Sequence, residues 1–429
     1  MKRELEKSLV VWKHSPNRKP LILQGARQVG KTWLMKEFGK NEYAKVIYAN
    51  FEASERLKTI FDADFNISRI ISILEIETNQ KIEAENCLII FDEIQEAPKG
   101  LTALKYFYEN APKYHIIAAG SLLGISMQKK NTFPVGKVDF MKLFPLSFKE
   151  FLQNLEGEKL AGTLKNQNWD IIDSYHEKFI ELLRLYYFVG GMPEAVKEYI
   201  ENKNLDLVRN IQQNIILGYE NDFSKYAPND ITPRIRLVWN SIISQLAKEN
   251  RKFIYGQIKK GARAKEFENA ISWLVDAGLL IKVNGLDKPG IPLKSYAQYD
   301  FFKLFLLDIG LLNTMANIDK TILLEKNRIL TEHKGAMTEQ FVCQELRINH
   351  ELYYWSNQDG RAEIDFLIEK KDEIFPIEVK SEENLKAKSL KFFTEKFNIE
   401  KGYRISMSKL RHEETLTNIP LYAAESYFS

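Results

Sequence analysis

The sequence has few of the residues that would indicate a disulfide scaffold, a zinc site or a membrane protein. It contains two cysteines and six histidines among 429 residues, and the histidines lack the spacing of zinc ligands. Cys87 and Cys343 each lie in an apolar pattern, which predicts small core residues and not a disulfide pair. No apolar run reaches the roughly 18 residues of a membrane helix, and the segment MKRELEKS lacks a signal-peptide core. These absences predict a cytoplasmic protein without membrane contact.

An excess of one charge is also missing. With 61 basic and 58 acidic residues, the chain has a formal net charge of +3. This near balance neither requires nor excludes a nucleic-acid partner, so any basic DNA-binding face has to be local. Low-complexity segments and internal repeats are absent from the sequence as well. A chain of 429 residues is too long for one hydrophobic core, which predicts a multidomain protein.

The strongest functional signal is the stretch Gly25-x-x-x-x-Gly30-Lys31-Thr32. It follows an apolar run at residues 20–23 and precedes a helical pattern at residues 33–38. A glycine-containing loop in this position turns backbone N–H groups inward and forms a cradle for an anion. Lys31 is expected to reach the β- and γ-phosphates of a nucleotide, and the Thr32 hydroxyl to bind Mg²⁺. A chance glycine turn is the alternative.

Two further strand ends carry polar residues that such a site needs. The apolar run 87–91 predicts a buried parallel strand, and Asp92 and Glu93 follow it directly. Asp92 is expected to hold the metal and Glu93 to polarise the attacking water. The next apolar run, residues 114–120, ends in Ser121. Ser121 is interpreted as a contact to the γ-phosphate or the water, or as an ordinary helix N-cap.

The pattern of elements divides the chain into several predicted domains. Short strands alternate with helical patterns up to about residue 160, which predicts an α/β core with a parallel sheet. Its strands are predicted at residues 21–24, 46–50, 88–91, 116–119 and 138–143. The predicted domains are an ATPase-like core at 1–160, a helical lid at 161–232, a winged helix-turn-helix at 233–295, a connecting segment at 296–329 and a further α/β domain at 330–429.

The predicted winged helix carries a basic cluster. Helical patterns at 235–248, from 255 onwards and at 264–277 precede a strand pattern at 278–283. The basic cluster consists of Lys259, Lys260, Arg263 and Lys265 around the second and third helices. This pattern indicates contact with the DNA backbone. The alternatives are a solvated helix face and a protein contact.

A second group of acidic residues lies in the stretch GRAEIDFLIEKKDEIFPIEVKS, residues 360–381. Two strand patterns joined by a turn at 370–372 predict a hairpin that brings Asp365, Glu378 and Lys380 together. Glu339, on a predicted helix upstream, is a further candidate acid. Such oxygen ligands suit Mg²⁺ or Mn²⁺, which would activate water at a phosphodiester, with Lys380 orienting that water. An inert hairpin with a Glu–Lys pair is the alternative.

Several stretches together resemble a known family. They are residues 25–32, 88–93, 119–121, 144–151, 190–195, 363–366 and 377–380. The chain resembles bacterial and archaeal ATPases that join an AAA-type P-loop domain to a C-terminal domain of unknown function, DUF4143, which is similar to PD-(D/E)XK nucleases. The resemblance covers nearly the full length. It implies a P-loop NTPase parallel sheet, a helical lid, a winged helix and a C-terminal restriction-endonuclease-like α/β domain.

The resemblance also implies roles for individual residues. It implies ATP binding along the loop, and with the adjoining tryptophan the predicted nucleotide-binding residues are Gly25, Ala26, Arg27, Gln28, Val29, Gly30, Lys31, Thr32 and Trp33. It implies Mg²⁺ at Thr32 and Asp92, catalysis by Lys31 and Glu93, a sensor role for Ser121, and nuclease-like positions at Glu339, Asp365, Glu378 and Lys380. Such ATPases often need an arginine from a neighbouring subunit. Lys137 stands where many relatives carry arginine, so no arginine finger is assigned.

Two functional hypotheses follow. The first is an ATP-hydrolysing protein with a DNA-related role, whose C-terminal domain is a metal-dependent DNA nuclease with a second Mg²⁺ or Mn²⁺. The second is a nucleotide-controlled switch that binds DNA or protein through a nuclease-like domain that does not cleave. A homo-oligomer and a protein partner both stay open.

Overall fold

The computed structural model describes residues 1–120, 134–247, 252–324, 331–357, 362–381 and 387–429. Its contacts divide the chain into two units, one of residues 1–144 with 276–278 and one of residues 145–275 with 279–429. Within these described ranges, no helix has both the length and the apolar composition to cross a membrane.

The first unit is built on a parallel sheet, as the alternating pattern predicted. Its described strands are β1 Leu21–Gln24, β2 Lys45–Asn50, β3 Cys87–Asp92, β4 His115–Ala119 and β5 Asp139–Lys142, in the spatial order β2-β3-β4-β1-β5. Every pairing in this sheet is parallel. Its described helices are α1 Leu5–Lys13, α2 Lys31–Glu42, α3 Glu55–Lys58, α4 Ile67–Thr78 and α5 Gly100–Asn110. The carboxyl ends of β1 and β3, on which the phosphate loop and Asp92 were predicted, therefore lie on the same edge.

The sheet is held by side chains that the apolar runs supply. All six residues of β3 and all five of β4 are buried, which explains their nearly uninterrupted apolar sequence. An aromatic cluster on one side joins Phe51, Phe61, Phe91 and Phe107, with ring centroids 5.4 to 6.0 Å apart for the three contacts that Phe91 makes. Such edge-to-face contacts add to the burial of large apolar surfaces. The buried strands β3 and β4 thus hold in place the carboxyl edge of the sheet, where the loop and Asp92 lie.

The second unit begins with helices. They are α6 Phe148–Leu155, α7 Glu158–Lys165, α8 Trp169–Ser174, α9 His176–Val189, α10 Pro193–Asn202, α11 Leu205–Tyr226, α12 Thr232–Leu246, α13 Tyr255–Ile258 and α14 Ala264–Asp276. Further along the chain come α15 Ile309–Met315, α16 Lys320–Leu324, α17 Thr331–Leu346, α18 Lys388–Phe397 and α19 Ala424–Phe428. A capping box of Ser147 and Glu150 begins α6. Pro193 occupies the first turn of α10, where its missing N–H has no partner to lose.

One mixed sheet runs through the second unit. Its strands are β6 Leu280–Leu286, β7 Ala297–Leu306, β8 Tyr353–Ser356, β9 Glu363–Lys370, β10 Glu373–Val379, β11 Gly402–Ser406, β12 Arg411–His412 and β13 Leu416–Pro420, in the order β12-β13-β11-β10-β9-β8-β6-β7. β6 pairs antiparallel with β7 and parallel with β8. Strands on both sides of the predicted boundaries at 295 and 329 therefore belong to one sheet. β8 forms backbone hydrogen bonds with the edge of β6 that would be unpaired in a separate winged helix. The lid and the other domain limits stay predictions.

The turn of Gly190 and Gly191, in one of the stretches that carry the resemblance, packs against Leu146 of another and binds a buried carboxylate. Gly191 donates its N–H to Asp308 Oδ2 at 2.6 Å, and Leu311 donates to Asp308 Oδ1 at 3.0 Å. Gly191 has no room for a side chain, since an added Cβ would lie 2.2 Å from the Leu146 carbonyl oxygen. Burial raises the pKa of Asp308 to about 6, against the effect of its N–H donors. The carboxylate thus joins the Gly190–Gly191 turn to the start of α15.

Replacing Asp308 by alanine is expected to destabilise the second unit. Two buried N–H groups would lose their acceptor, at roughly 1–3 kcal/mol each, so the free energy of unfolding should fall by about 2–6 kcal/mol. Urea unfolding followed by tryptophan fluorescence measures this change. Asp300→Ala, at an exposed position of β7, is the matched control, with an expected change within about 0.5 kcal/mol. Equal midpoints for the two variants would refute a structural role of Asp308.

Candidate functional site

The loop between β1 and α2 has the backbone conformation of a phosphate cradle. Gly25 has a φ of +156° and Gly30 a φ of +94°, in a region that favours glycine, and Gln28 between them has a φ of +65°. An added Cβ at Gly25 would lie 2.3 Å from the Leu143 carbonyl oxygen. Both glycines of the motif therefore fit their backbone φ angles, and Gly25 also leaves room for the backbone at Leu143.

Lys31 lies directly on this loop. Its Nζ donates to the Gly25 and Ala26 carbonyl oxygens at 2.9 and 2.7 Å. Burial lowers the pKa of Lys31 to about 8, while the nearby carboxylates of Glu93 and Asp92 act in the opposite direction. The loop thus holds a buried cation against its own backbone, close to two acidic side chains.

Asp92 is the last residue of β3, and one of its carboxylate oxygens accepts hydrogen bonds from two hydroxyl groups. Thr32 Oγ1 and the Tyr48 hydroxyl each donate to Asp92 Oδ2 at 2.8 Å. Tyr48 lies on the neighbouring strand β2, in which Asn50 is in register with Asp92. Burial and the bond to Asp92 raise the pKa of Tyr48 to about 12, so it remains a donor at neutral pH. The structure places Thr32 beside Asp92 as predicted, and it adds Tyr48, which the motif search missed.

Glu93 leaves the strand in a left-handed conformation, with φ of 51° and ψ of 45°. This conformation is uncommon for a residue other than glycine and carries a modest backbone cost. It turns the chain into the short helix Ile94–Glu96. Gln95 Nε2 donates to Glu93 Oε2 at 2.6 Å, which orients the carboxylate. Glu93 is thus held in place beside Asp92, and Gln95 is a second residue that the sequence did not suggest.

The remaining predicted loop residues have different surroundings. Ala26 and Val29 are buried, so only their backbone faces a ligand, whereas Gln28 and Trp33 are exposed. Arg27 is half-buried, and its charge contributes to the lowered pKa of Lys31.

Arg3 supports the loop from outside the motif. The buried guanidinium donates to the Val29 carbonyl oxygen at 3.0 Å and to the Phe144 carbonyl oxygen at 2.6 Å. It therefore ties the loop to the segment after β5. The sequence did not predict a role for Arg3, because an arginine among other charged residues is typical of a solvent-exposed segment.

Two further residues named from the sequence stay unassigned. Ser121 lies outside the described residues, so its sensor role stays a prediction. Lys137 Nζ pairs with Glu109 Oε1 at 3.0 Å and lies near the Tyr108 ring. This pair gives no reason to assign Lys137 the part of an arginine finger.

The second constellation lies on the predicted hairpin of β9 and β10. The strands pair antiparallel, and the turn uses positive φ angles at Lys371 and Asp372. Asp365 Oδ2 accepts the Val379 N–H at 2.7 Å, and Lys380 Nζ lies 2.6 Å from Glu378 Oε1. Burial raises the pKa of Glu378, and nearby Asp365 raises it further, while Lys380 lowers it. The hairpin thus places Asp365 and Glu378 near each other, with Lys380 paired to Glu378.

A lysine that the sequence did not suggest lies among these acids. Lys303, on β7, is fully buried. Its Nζ lies 2.5 Å from Glu363 Oε1, 3.6 Å from Glu339 Oε2 and 3.9 Å from Asp365 Oδ1. Glu339, predicted as a metal ligand, therefore lies within reach of an ammonium group. In the part of the chain that the structure describes, no three acidic, histidine or cysteine side chains are arranged to hold a metal ion.

The basic cluster of the predicted winged helix is exposed. Lys259 and Lys260 follow α13, Arg263 precedes α14, and Lys265 lies in its first turn. The Phe253 N–H donates to the Phe302 carbonyl oxygen at 2.9 Å, which joins the segment before α13 to β7. Helices α12 to α14 are thus followed by the antiparallel pair β6–β7 and tied to it by backbone.

Comparison with known proteins assigns three regions. Residues 17–152 match the model of an AAA domain, AAA_14. Residues 180–321 and 334–423 match two domains of unknown function, DUF8612 and DUF4143. No curated protein matches the chain.

Similar solved structures include two from archaea and one from a nematode. The Aeropyrum pernix Orc1 protein in complex with DNA has 13% identity and a TM-score of 0.28, over 74% of this chain and 91% of that chain. Cdc6p from Pyrobaculum aerophilum has 11% identity and a TM-score of 0.26, over 76% and 96%. PCH-2 of C. elegans has 14% identity and a TM-score of 0.24, over 36% and 44%. TM-scores this low carry no argument about this chain.

The domain matches agree with the stretches on which the resemblance rests. The loop, Asp92 and Glu93 all lie inside residues 17–152, and the hairpin lies inside residues 334–423. The chain therefore combines an AAA domain at residues 17–152 with the domain of unknown function DUF4143 at residues 334–423.

Proposed function

We propose that the first unit binds ATP with Mg²⁺ and hydrolyses it. The observation that carries this proposal is the hydrogen bond from Thr32, at the end of the loop, to Asp92 at the carboxyl end of β3. The buried Lys31 lies on the same loop. Ligands of open parallel sheets bind at this edge. The match to an AAA domain supports ATP as the nucleotide.

The chain's own residues have separate tasks in this proposal. The loop N–H groups and the Lys31 ammonium bind the phosphates, at the N-terminus of α2. Glu93 orients the attacking water and takes up its proton, and Gln95 holds the Glu93 carboxylate in place. Tyr48 fixes the rotamer of Asp92 through its hydroxyl.

The residues at the strand end also fit Mg²⁺. Thr32 and Asp92 would hold the ion, because hydroxyl and carboxylate oxygens are the ligands it prefers, and both already meet at one carboxylate oxygen. When bound, the ion neutralises negative charge on the phosphate oxygens.

Equilibrium binding of ATP and release of phosphate by the purified full-length protein test this function. Saturable binding and phosphate release that stops when EDTA removes Mg²⁺ are expected. No binding at millimolar ATP would overturn the proposal.

We further propose that α12 to α14 and the pair β6–β7 form a winged helix-turn-helix that contacts DNA. Three helices followed by an antiparallel strand pair are typical of this fold. The backbone bond between Phe253 and Phe302 supports it, because a short segment between the first two helices usually joins the wing. The exposed basic cluster of Lys259, Lys260, Arg263 and Lys265 supplies groups for phosphate contacts.

The charge contribution of this cluster can be measured by salt titration. The double substitution Lys259→Ala with Lys260→Ala should lower the salt dependence of duplex binding by about two phosphate contacts. We expect roughly tenfold weaker binding at moderate salt, read by fluorescence anisotropy. Lys391→Ala, an exposed lysine on α18, is the control and should bind as the wild type does. An unchanged salt slope in the double variant would refute DNA contact by these two lysines.

Metal-dependent DNA cleavage stays a prediction that rests on the resemblance, and a binding switch is its alternative. Cleavage of linear, circular or branched DNA that is lost in Glu378→Ala would favour the nuclease. ATP turnover without cleavage of any of these forms would favour the switch. The oligomeric state also stays a prediction, since no arginine is assigned to a neighbouring site.

A further inference from the structure

Two of the acids predicted to bind a second metal, Glu339 and Asp365, lie beside a cation of the chain itself. Lys303 Nζ lies within 4 Å of carboxylate oxygens of Glu339, Glu363 and Asp365. These acids come from α17 and β9, and the lysine comes from β7. Three carboxylates from two elements thus converge on one ammonium group.

The position of Lys303 requires this charge balance. A fully buried ammonium is costly unless negative groups surround it. The Tyr354 ring on β8 adds a favourable face, with its centroid 5.1 Å from Lys303 Nζ. The three carboxylates and the Tyr354 ring therefore stabilise a positive charge, and that charge is the Lys303 ammonium.

The other predicted ligands are also engaged. Asp365 accepts a backbone N–H with Oδ2 while its Oδ1 faces Lys303, and Glu378 pairs with Lys380. A divalent ion held by Glu339 and Asp365 would have to share those oxygens with the Lys303 ammonium. The Lys303 ammonium and a divalent cation would repel each other strongly in this poorly solvated site. The residues present therefore do not fit such an ion.

We propose that the Lys303 ammonium is the resident cation of this carboxylate cluster and takes the place of a divalent metal. The C-terminal domain then binds no Mg²⁺ or Mn²⁺ at Asp365 and does not cleave DNA by a metal-dependent route. Removing the ammonium leaves the carboxylates without a counter-charge, so that they can move together around a hard divalent cation that their present arrangement does not hold. This inference is independent of ATP hydrolysis in the first unit.

Mn²⁺ binding to the full-length, nucleotide-free protein tests the proposal. Free Mn²⁺ is counted by electron paramagnetic resonance for the wild type, Asp365→Asn, Lys303→Met and the double variant. We expect the wild type and Asp365→Asn to bind the same number of ions. Lys303→Met should bind one more ion per chain than the wild type, and the double variant should lose it.

Two results would overturn the proposal. One is an Mn²⁺ ion in the wild type that Asp365→Asn loses, since the site would then bind metal with Lys303 present. The other is a folded Lys303→Met variant that gains no ion. Mn²⁺ should also raise the Tm of Lys303→Met and leave that of the wild type unchanged, which separates folding from binding. If Lys303→Met does not fold, the comparison of the wild type with Asp365→Asn and Glu378→Ala still decides whether these acids bind metal.

Discussion

Replacement of Lys31 by alanine will abolish measurable ATP binding. The Lys31 ammonium is the cation expected to reach the β- and γ-phosphates, and two charge-assisted contacts to phosphate contribute about 1.5–3 kcal/mol each. Their loss corresponds to an affinity at least about 100-fold lower. Fluorescence titration with an ATP analogue measures the change.

The loss should not come from unfolding. Burial lowers the pKa of Lys31 to about 8, so the folded protein holds this charge at a cost that alanine removes. Lys40→Ala is the matched control, because Lys40 is an exposed lysine on the same helix. It should bind ATP within about twofold of the wild type. Tight binding by Lys31→Ala would show that the loop does not hold the phosphates.

Replacement of Glu93 by glutamine will leave ATP binding intact and remove turnover. Glutamine has nearly the shape of glutamate but cannot accept the proton of the attacking water. Loss of a general base typically lowers the rate by about 10²–10⁴-fold. Phosphate release at saturating ATP should therefore fall by at least about 100-fold, while the affinity for ATP stays within about threefold.

Glu96→Gln serves as the control for this variant. Glu96 ends the same short helix that Glu93 precedes, and it has no assigned part in the reaction. It should release phosphate at the wild-type rate. Equal loss in both variants would indicate a general effect on the helix, and full activity in Glu93→Gln would place the base elsewhere.

Much of the proposed nucleotide site could be predicted from local sequence patterns. The loop and the Asp92–Glu93 pair are short motifs at the ends of apolar strands, so sequence neighbours largely determine their places. Tyr48 and Arg3 could not be predicted in the same way. Tyr48 reaches Asp92 only because β2 lies next to β3, and Arg3 reaches the loop across the fold.

In the carboxylate cluster around Lys303, contacts between residues distant in sequence were again not predicted. The hairpin and its acids were predicted from strand alternation and a short turn. Lys303 was not, because it lies 60 residues before Glu363 in sequence, as the contact between them shows. It reaches the cluster only through the pairing of β6 with β8, which no local pattern encodes. Residues 296–329 were predicted as a connecting segment, and a single lysine within it gave no sign of its partners.

The most direct test of the account is phosphate release by purified full-length wild type and Glu93→Gln at saturating Mg²⁺ and ATP, after both are shown to bind ATP. The account predicts equal binding and phosphate release by the wild type alone. Release at the same rate by both proteins, or by neither, would contradict an ATPase site built on Lys31, Asp92 and Glu93.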